Sequence, residues 1–268
     1  MTAYPLTNEL PIPNDFPRDN YEAINPLVLS KCNDTNRDKY FFFLASWKGF
    51  LHRFLACTDH DKKYIESAAL LEKKLLIEGK LYLYERYLVE RELFNFLING
   101  LAAIECLCSA LFAIGAIEEI AHTGQTTNLT FSIKTEKELR SISPSTTAEK
   151  FHLKFENKAI TTVLKDLFNT NSTTEDAKQY KKWKKIRDIL THRGQPGRKV
   201  ALSSGSPERI PDLLDFYSVT KEGVKDLPII KFTPTTTACM REWLTKIIDN
   251  ILCAGYTFVD NSNVENEL

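Results

Sequence analysis

The sequence predicts an all-α protein: a helical bundle of at least four long helices with irregular insertions. Apolar residues recur at steps of three and four through most of the chain, as they do on a helix face turned to a core. Start and stop signals, among them Gly79, Pro144, Gly194 and threonines able to cap, mark the joints. One strand-like run, "NLTFSI" at 128–133, stands inside a Thr/Ser-rich stretch.

A chain of 268 residues is long enough for one large domain or two small ones, with a substantial buried core. Hydrophobic content of 43% and charged content of 26% fit a soluble globular protein. Lys and Arg number 35 against 35 Asp and Glu. Global charge therefore points to no partner, and any electrostatic attraction must be local.

Residues 1–37 hold five of the eleven prolines, at 5, 11, 13, 17 and 26. Proline fixes φ and removes a donor, so this segment is expected to be a loose, extended arm. It has neither a basic n-region nor an apolar h-region, so no secretory signal is expected there. A single all-α domain is expected over 38–268. "DKYFFFLASWKGFLHRFLAC" (38–57) reads as a helix with a broad apolar face, and 61–90 continue it with a break at Gly79.

Residues 91–117 are the most apolar, with Leu93, Phe96, Leu97, Leu101, Ile104, Leu107 and Leu111 in helical register. The run is long enough to span a bilayer. Asn95, Asn99, Glu105 and Ser109 interrupt it, and a mid-span carboxylate is costly in lipid. A buried bundle helix fits better than a membrane segment. Residues 124–146 read as an excursion and 148–168 as one helix with Thr146 or Thr147 at its cap. The next helix, within 172–194, has Thr173 or Thr174 to cap it and Glu175 and Asp176 at the positive end of its dipole. Residues 195–233 form a second excursion. A final amphipathic helix carries Met240, Trp243, Leu244, Ile247, Ile248 and Ile251.

Six cysteines without a CxxC pair read as reduced, mostly buried thiols in a cytoplasmic protein. His52, His60, His122 and His152 are scattered and read as structural or surface residues. Neither a metal-ligand pattern nor a Gly-rich phosphate loop occurs, so no metal and no cofactor are expected.

The local exception to neutrality lies at 178–199, where nine bases face one acid, Asp188. Lys181, Lys182, Lys184, Lys185 and Arg193 give this stretch the electrostatic footprint of an RNA binder; a solvated lysine face is the bland alternative. Arg187 and His192 close the helix. A histidine shuttles a proton near neutral pH, and an arginine braces charge building on phosphorus. Five residues of helix turn about 500°, leaving the two roughly 140° apart. Joint action needs a helix that loosens near Thr191–Gly194, or a second copy across a two-fold axis.

"RDILTH", an Arg-x4-His motif on a basic helix in an all-α bundle, resembles the HEPN superfamily over roughly residues 86–258. The resemblance implies a homodimer in which two motifs form one site. It implies metal-independent RNA cleavage by 2′-hydroxyl attack, leaving a cyclic phosphate, with His192 as acid/base and Arg187 as phosphate stabiliser. A role in defence or stress would follow. Asp188 stands where many members carry a polar residue such as Asn. "HRG" replaces the His-x-Tyr of the toxin–antitoxin branch and argues against that pairing, and no companion protein is named by the sequence. Asn95, Asn99 and Glu105 are expected either to hydrogen-bond across the bundle or to position the motif. The competing functions are a non-catalytic HEPN-like binding module and a membrane-associated helical protein.

Overall fold

A computed structural model of the chain describes residues 12–79, 83–124, 128–132, 135–192, 234–264 and short stretches between 198 and 231. The fold is all-α. Its helices are α1 (Arg18–Ser30), α2 (Arg37–Glu78), α3 (Leu83–Thr123), α4 (Glu136–Ser141), α5 (Pro144–Lys154), α6 (Ala159–Phe168), α7 (Glu175–His192) and α8 (Pro234–Val264). The long ones, α2, α3 and α8, run 42, 41 and 31 residues. Between α7 and α8, where the sequence predicts an irregular excursion, lie antiparallel strand pieces of two to four residues. Arg198–Lys199, Leu213–Leu214 and Ile230–Lys231 form one sheet, and Tyr217–Thr220 pairs with Gly223–Asp226.

The described residues fall into two compact units. One lies within Met1–Arg53, Ala102–Tyr180 and Thr245–Leu268, the other within Phe54–Leu101 and Lys181–Leu244. Four helices, α2, α3, α7 and α8, therefore give a segment to each.

In the first unit the proline-rich segment departs from its expected loose form over 18–30. There it folds as α1, with Pro26 inside the helix and Tyr21, Ile24 and Val28 buried. Aromatic burial overrides the prolines: Tyr21 stacks on Trp47 at 4.6 Å and Phe16 sits 5.8 Å from Phe50. Residues 1–11 of the expected arm lie outside the described residues.

The helix predicted over 148–168 is two helices. Ser143, not Thr146 or Thr147, caps the first, its hydroxyl accepting from the Thr146 amide with Pro144 at the first helical position. Phe155 leaves helical geometry at φ −129°, and the Thr161 hydroxyl donates to its carbonyl at 2.6 Å. The gain is aromatic: Phe155 packs against Phe131 at 5.9 Å and Phe258 at 4.9 Å. The strand-like run at 128–133 is not a strand over its described residues 128–132. The amide of Phe131, buried in that cluster, donates instead to Glu119 Oε2 at 3.1 Å.

Burial would raise the Glu119 carboxyl, but hydrogen bonds from the Phe131 and Thr130 amides and from Lys154 outweigh it and hold it below the usual value. A lowered folded value means stability present above the unfolded pKa and lost as pH falls through the folded one. Glu119→Gln is expected to melt lower than wild type at pH 7, with the gap closing on acidification below about pH 4. Thermal midpoints that differ by the same amount at pH 7 and pH 3 would contradict this.

Gly79 ends α2 at φ +62°, its amide donating to the Leu75 carbonyl at 3.0 Å, a left-handed cap that a side chain would strain. The break expected at Gly79 is thus a helix stop. By length and composition α3 could cross a membrane, yet 78% of its most apolar window is buried inside the protein.

Candidate nucleic-acid interface at the end of α7

Helix α7 begins on Thr174, whose hydroxyl accepts from the Ala177 amide at 3.2 Å. Ala177, Tyr180, Trp183 and Ile186, three residues apart, are buried. Lys181, Lys182, Lys184 and Lys185 are exposed. The amphipathic pattern therefore presents four ammonium groups to solvent without burying any.

The second compact unit fixes this helix to α3. Trp183 is fully buried, and its indole N–H donates to the Leu97 carbonyl at 2.9 Å. Its ring lies 5.5 Å from Phe96 and 5.7 Å from Trp243. Gly100 makes room: a Cβ there would fall 2.4 Å from the Trp183 ring and 3.2 Å from Cys57 Sγ. Asn95 and Asn99 flank this contact on α3. Asn99 is buried, and its amide donates to the Asn95 carbonyl at 2.8 Å. Glu105, whose carbonyl accepts from the Ser109 hydroxyl at 2.9 Å, belongs to the other compact unit.

The half-buried Arg187 donates from Nε to the adjacent Asp188 Oδ1 at 2.8 Å. Asp188 is thus placed to orient the guanidinium. Helix α7 continues without interruption to His192. Up to that residue it does not loosen, so positions 187 and 192 stay roughly 140° apart around the axis. The side chain of His192, and all of Arg193, lie outside the described residues.

Two polar groupings in the same unit escaped the sequence reading. His60 on α2 meets Glu92 on α3, Nδ1 to Oε2, at 2.7 Å. Arg91 donates from Nε to the other Glu92 oxygen at 2.8 Å. Burial would raise the Glu92 carboxyl, but these donors hold it below the usual value and keep it charged. A charged Glu92 is an acceptor for a proton on His60 Nδ1, so the pair ties α2 to α3. Buried Asp61 lies 3.7 Å from Arg241 Nε on α8. Burial raises its carboxyl, opposed by the Thr237 hydroxyl and by Arg241. Burial, then Asp61, also pushes the Cys57 thiol well up, which makes it unreactive.

A signal for both was present. Phe50, Phe54, Cys57, Asp61 and Tyr64 keep a strict 4-3-4-3 spacing, as do Val89, Glu92 and Phe96 at 3-4. Each carboxylate occupies a core position, where it needs a partner from another helix. Among the described residues no three of His, Cys, Asp or Glu form a metal-ligand set.

Comparison of the chain with models of known families, with curated proteins and with solved structures finds no match in any of the three.

Proposed function

We propose that this protein is a metal-independent endoribonuclease of the HEPN type that works through a composite site of two copies, in a defence or stress response. The observation that supports it most is the placing of Arg187-x4-His192 at the end of a helix whose inner face is locked to α3 and whose outer face offers exposed lysines. In this reading the RNA 2′-hydroxyl attacks phosphorus and gives up its proton. The P–O5′ bond breaks, the 5′-oxygen takes a proton, and a 2′,3′-cyclic phosphate remains. His192 carries the proton and Arg187 stabilises the charge on the phosphoryl oxygens.

The test is incubation of purified protein with single-stranded RNA and DNA of one sequence in excess chelator. Cyclic-phosphate ends on RNA and intact DNA are expected. Activity that needs a divalent ion, or cuts both substrates, ends this reading. The Arg187–Asp188 pair favours a second reading, a non-catalytic helical binding module, because it offsets part of the arginine's charge. RNA binding without cleavage under every condition would select it.

Lysines 181, 182, 184 and 185 release counterions when they neutralise phosphates, so binding is expected to weaken steeply with salt. Replacing all four by Gln should flatten the slope of log affinity against log salt by about three to four. An unchanged slope assigns them to solvent.

A further inference from the structure

Four carboxylates are buried among the described residues: Asp61, Glu92, Glu118 and Glu119. Three of them are met closely. Glu92 lies 2.7 Å from His60 Nδ1, Glu118 2.6 Å from Lys31 Nζ, and Glu119 3.1 Å from the Phe131 amide. Asp61 is the exception. It is 1% exposed, and among the described residues neither of its oxygens has a hydrogen bond of normal geometry. Its ion pair with Arg241 Nε stands at 3.7 Å. A buried charge so loosely paired recovers little of what its desolvation costs.

The groups around Asp61 come from four helices of the second compact unit. Cys57, one turn back on α2, is a buried thiol. His60, the preceding residue, is turned to Glu92 of α3. Helix α7 meets Cys57 at Gly100 with Trp183, which does not titrate. Helix α8 brings Thr237, fully buried, and Arg241, partly exposed. Burial raises the Asp61 carboxyl, and Thr237 and Arg241 do not offset it. A carboxyl raised in the fold gives stability that is present below its unfolded value and is lost as pH rises through its folded one.

The same turns of α8 touch the inner face of α7. Thr237 and Arg241 are one turn apart near the start of α8, which begins at Pro234. Trp243 follows two residues later, with its ring 5.7 Å from Trp183. Trp183 is the residue that fastens α7 to α3. The seating of α8 on Asp61 and the packing behind α7 therefore depend on one short piece of helix.

We propose that Asp61 and Arg241 form a charge-sensitive latch: with Asp61 neutral the first turns of α8 seat on α2, and with Asp61 ionised they loosen, drawing Trp243 away from Trp183 and slackening the support of α7. Any effect of the latch on cleavage rests on the nuclease reading; the latch itself does not.

The experiment is hydrogen exchange of the full chain, read by mass spectrometry on peptides within 234–248 between about pH 5 and pH 8 and corrected for the intrinsic exchange rate. Wild type is expected to lose at least about tenfold in protection across that range, the equivalent of one unit of carboxyl shift. Asp61→Asn keeps the shape without the charge, so its protection should be flat with pH and match that of acidic wild type. Arg241→Gln removes the counterion and should deepen the loss at the upper end. A wild type whose α8 protection does not change with pH overturns the proposal. So does Asp61→Asn that keeps the wild-type pH dependence, which would assign it to His60 and Glu92. Asp61→Asn that is less protected than wild type at pH 8, or fails to fold, overturns it as well, because the carboxylate would then be an anchor. A pH-dependent α8 that Asp61→Asn flattens, in a protein that never cuts RNA, supports the latch and removes the nuclease reading. RNA cleavage with an α8 indifferent to pH does the reverse.

Discussion

His192→Ala is expected to lower the rate of RNA cleavage by about two to four orders of magnitude, the usual contribution of a positioned acid or base. Arg187→Lys should be damaging too. An ammonium carries the charge but cannot present the planar, two-pronged donor that matches a phosphate. Helix content should be unaffected, because Arg187 is half-buried near a helix end and pairs with Asp188 rather than with the apolar stripe. Rates should be read on single turnovers in chelator, with RNA affinity measured beside them. A loss confined to affinity would make both residues binding groups. Full cleavage by His192→Ala would remove the assignment.

Trp183→Ala carries the largest expected cost to the fold, about 3–5 kcal/mol in a protein whose whole stability is of order 5–15 kcal/mol. The indole is fully buried, donates to Leu97, and fills the space that Gly100 leaves open against Phe96 and Trp243. Removing it opens a cavity that helices on both sides cannot close. Because this contact holds α7 to α3, the motif should lose its support as well. Urea unfolding of wild type and variant measures the effect. A change under about 1 kcal/mol would mean that α7 is held elsewhere. Comparing activity below the unfolding transition separates loss of fold from loss of chemistry.

The sequence marked α7 well. Its cap, acidic first turn, buried face and exposed lysines were all legible, because each depends on residues within one or two turns. The Arg-x4-His spacing likewise fixed how far apart the two positions lie around the axis. The partners of Asp61 and Glu92 were not legible. Spacing shows that a carboxylate stands in a core register but not which helix brings Arg241 or His60 to it. The join between α5 and α6 was missed because the gain from seating Phe155 against Phe131 and Phe258 comes from residues distant in sequence.

By itself, then, the sequence determined that this chain is helical, where its long helices run, which face of α7 is apolar and where positive charge concentrates. These follow from backbone geometry and from the repeat of apolar side chains, both local. Only the tertiary structure decided that the proline-rich segment packs as α1, that Trp183 seats over Gly100, and that Asp61 and Glu92 meet Arg241 and His60. The physical reason is that burial and ion pairing are properties of two surfaces meeting. A helix carries the periodicity of its own face, but the free energy of that face depends on what is placed against it.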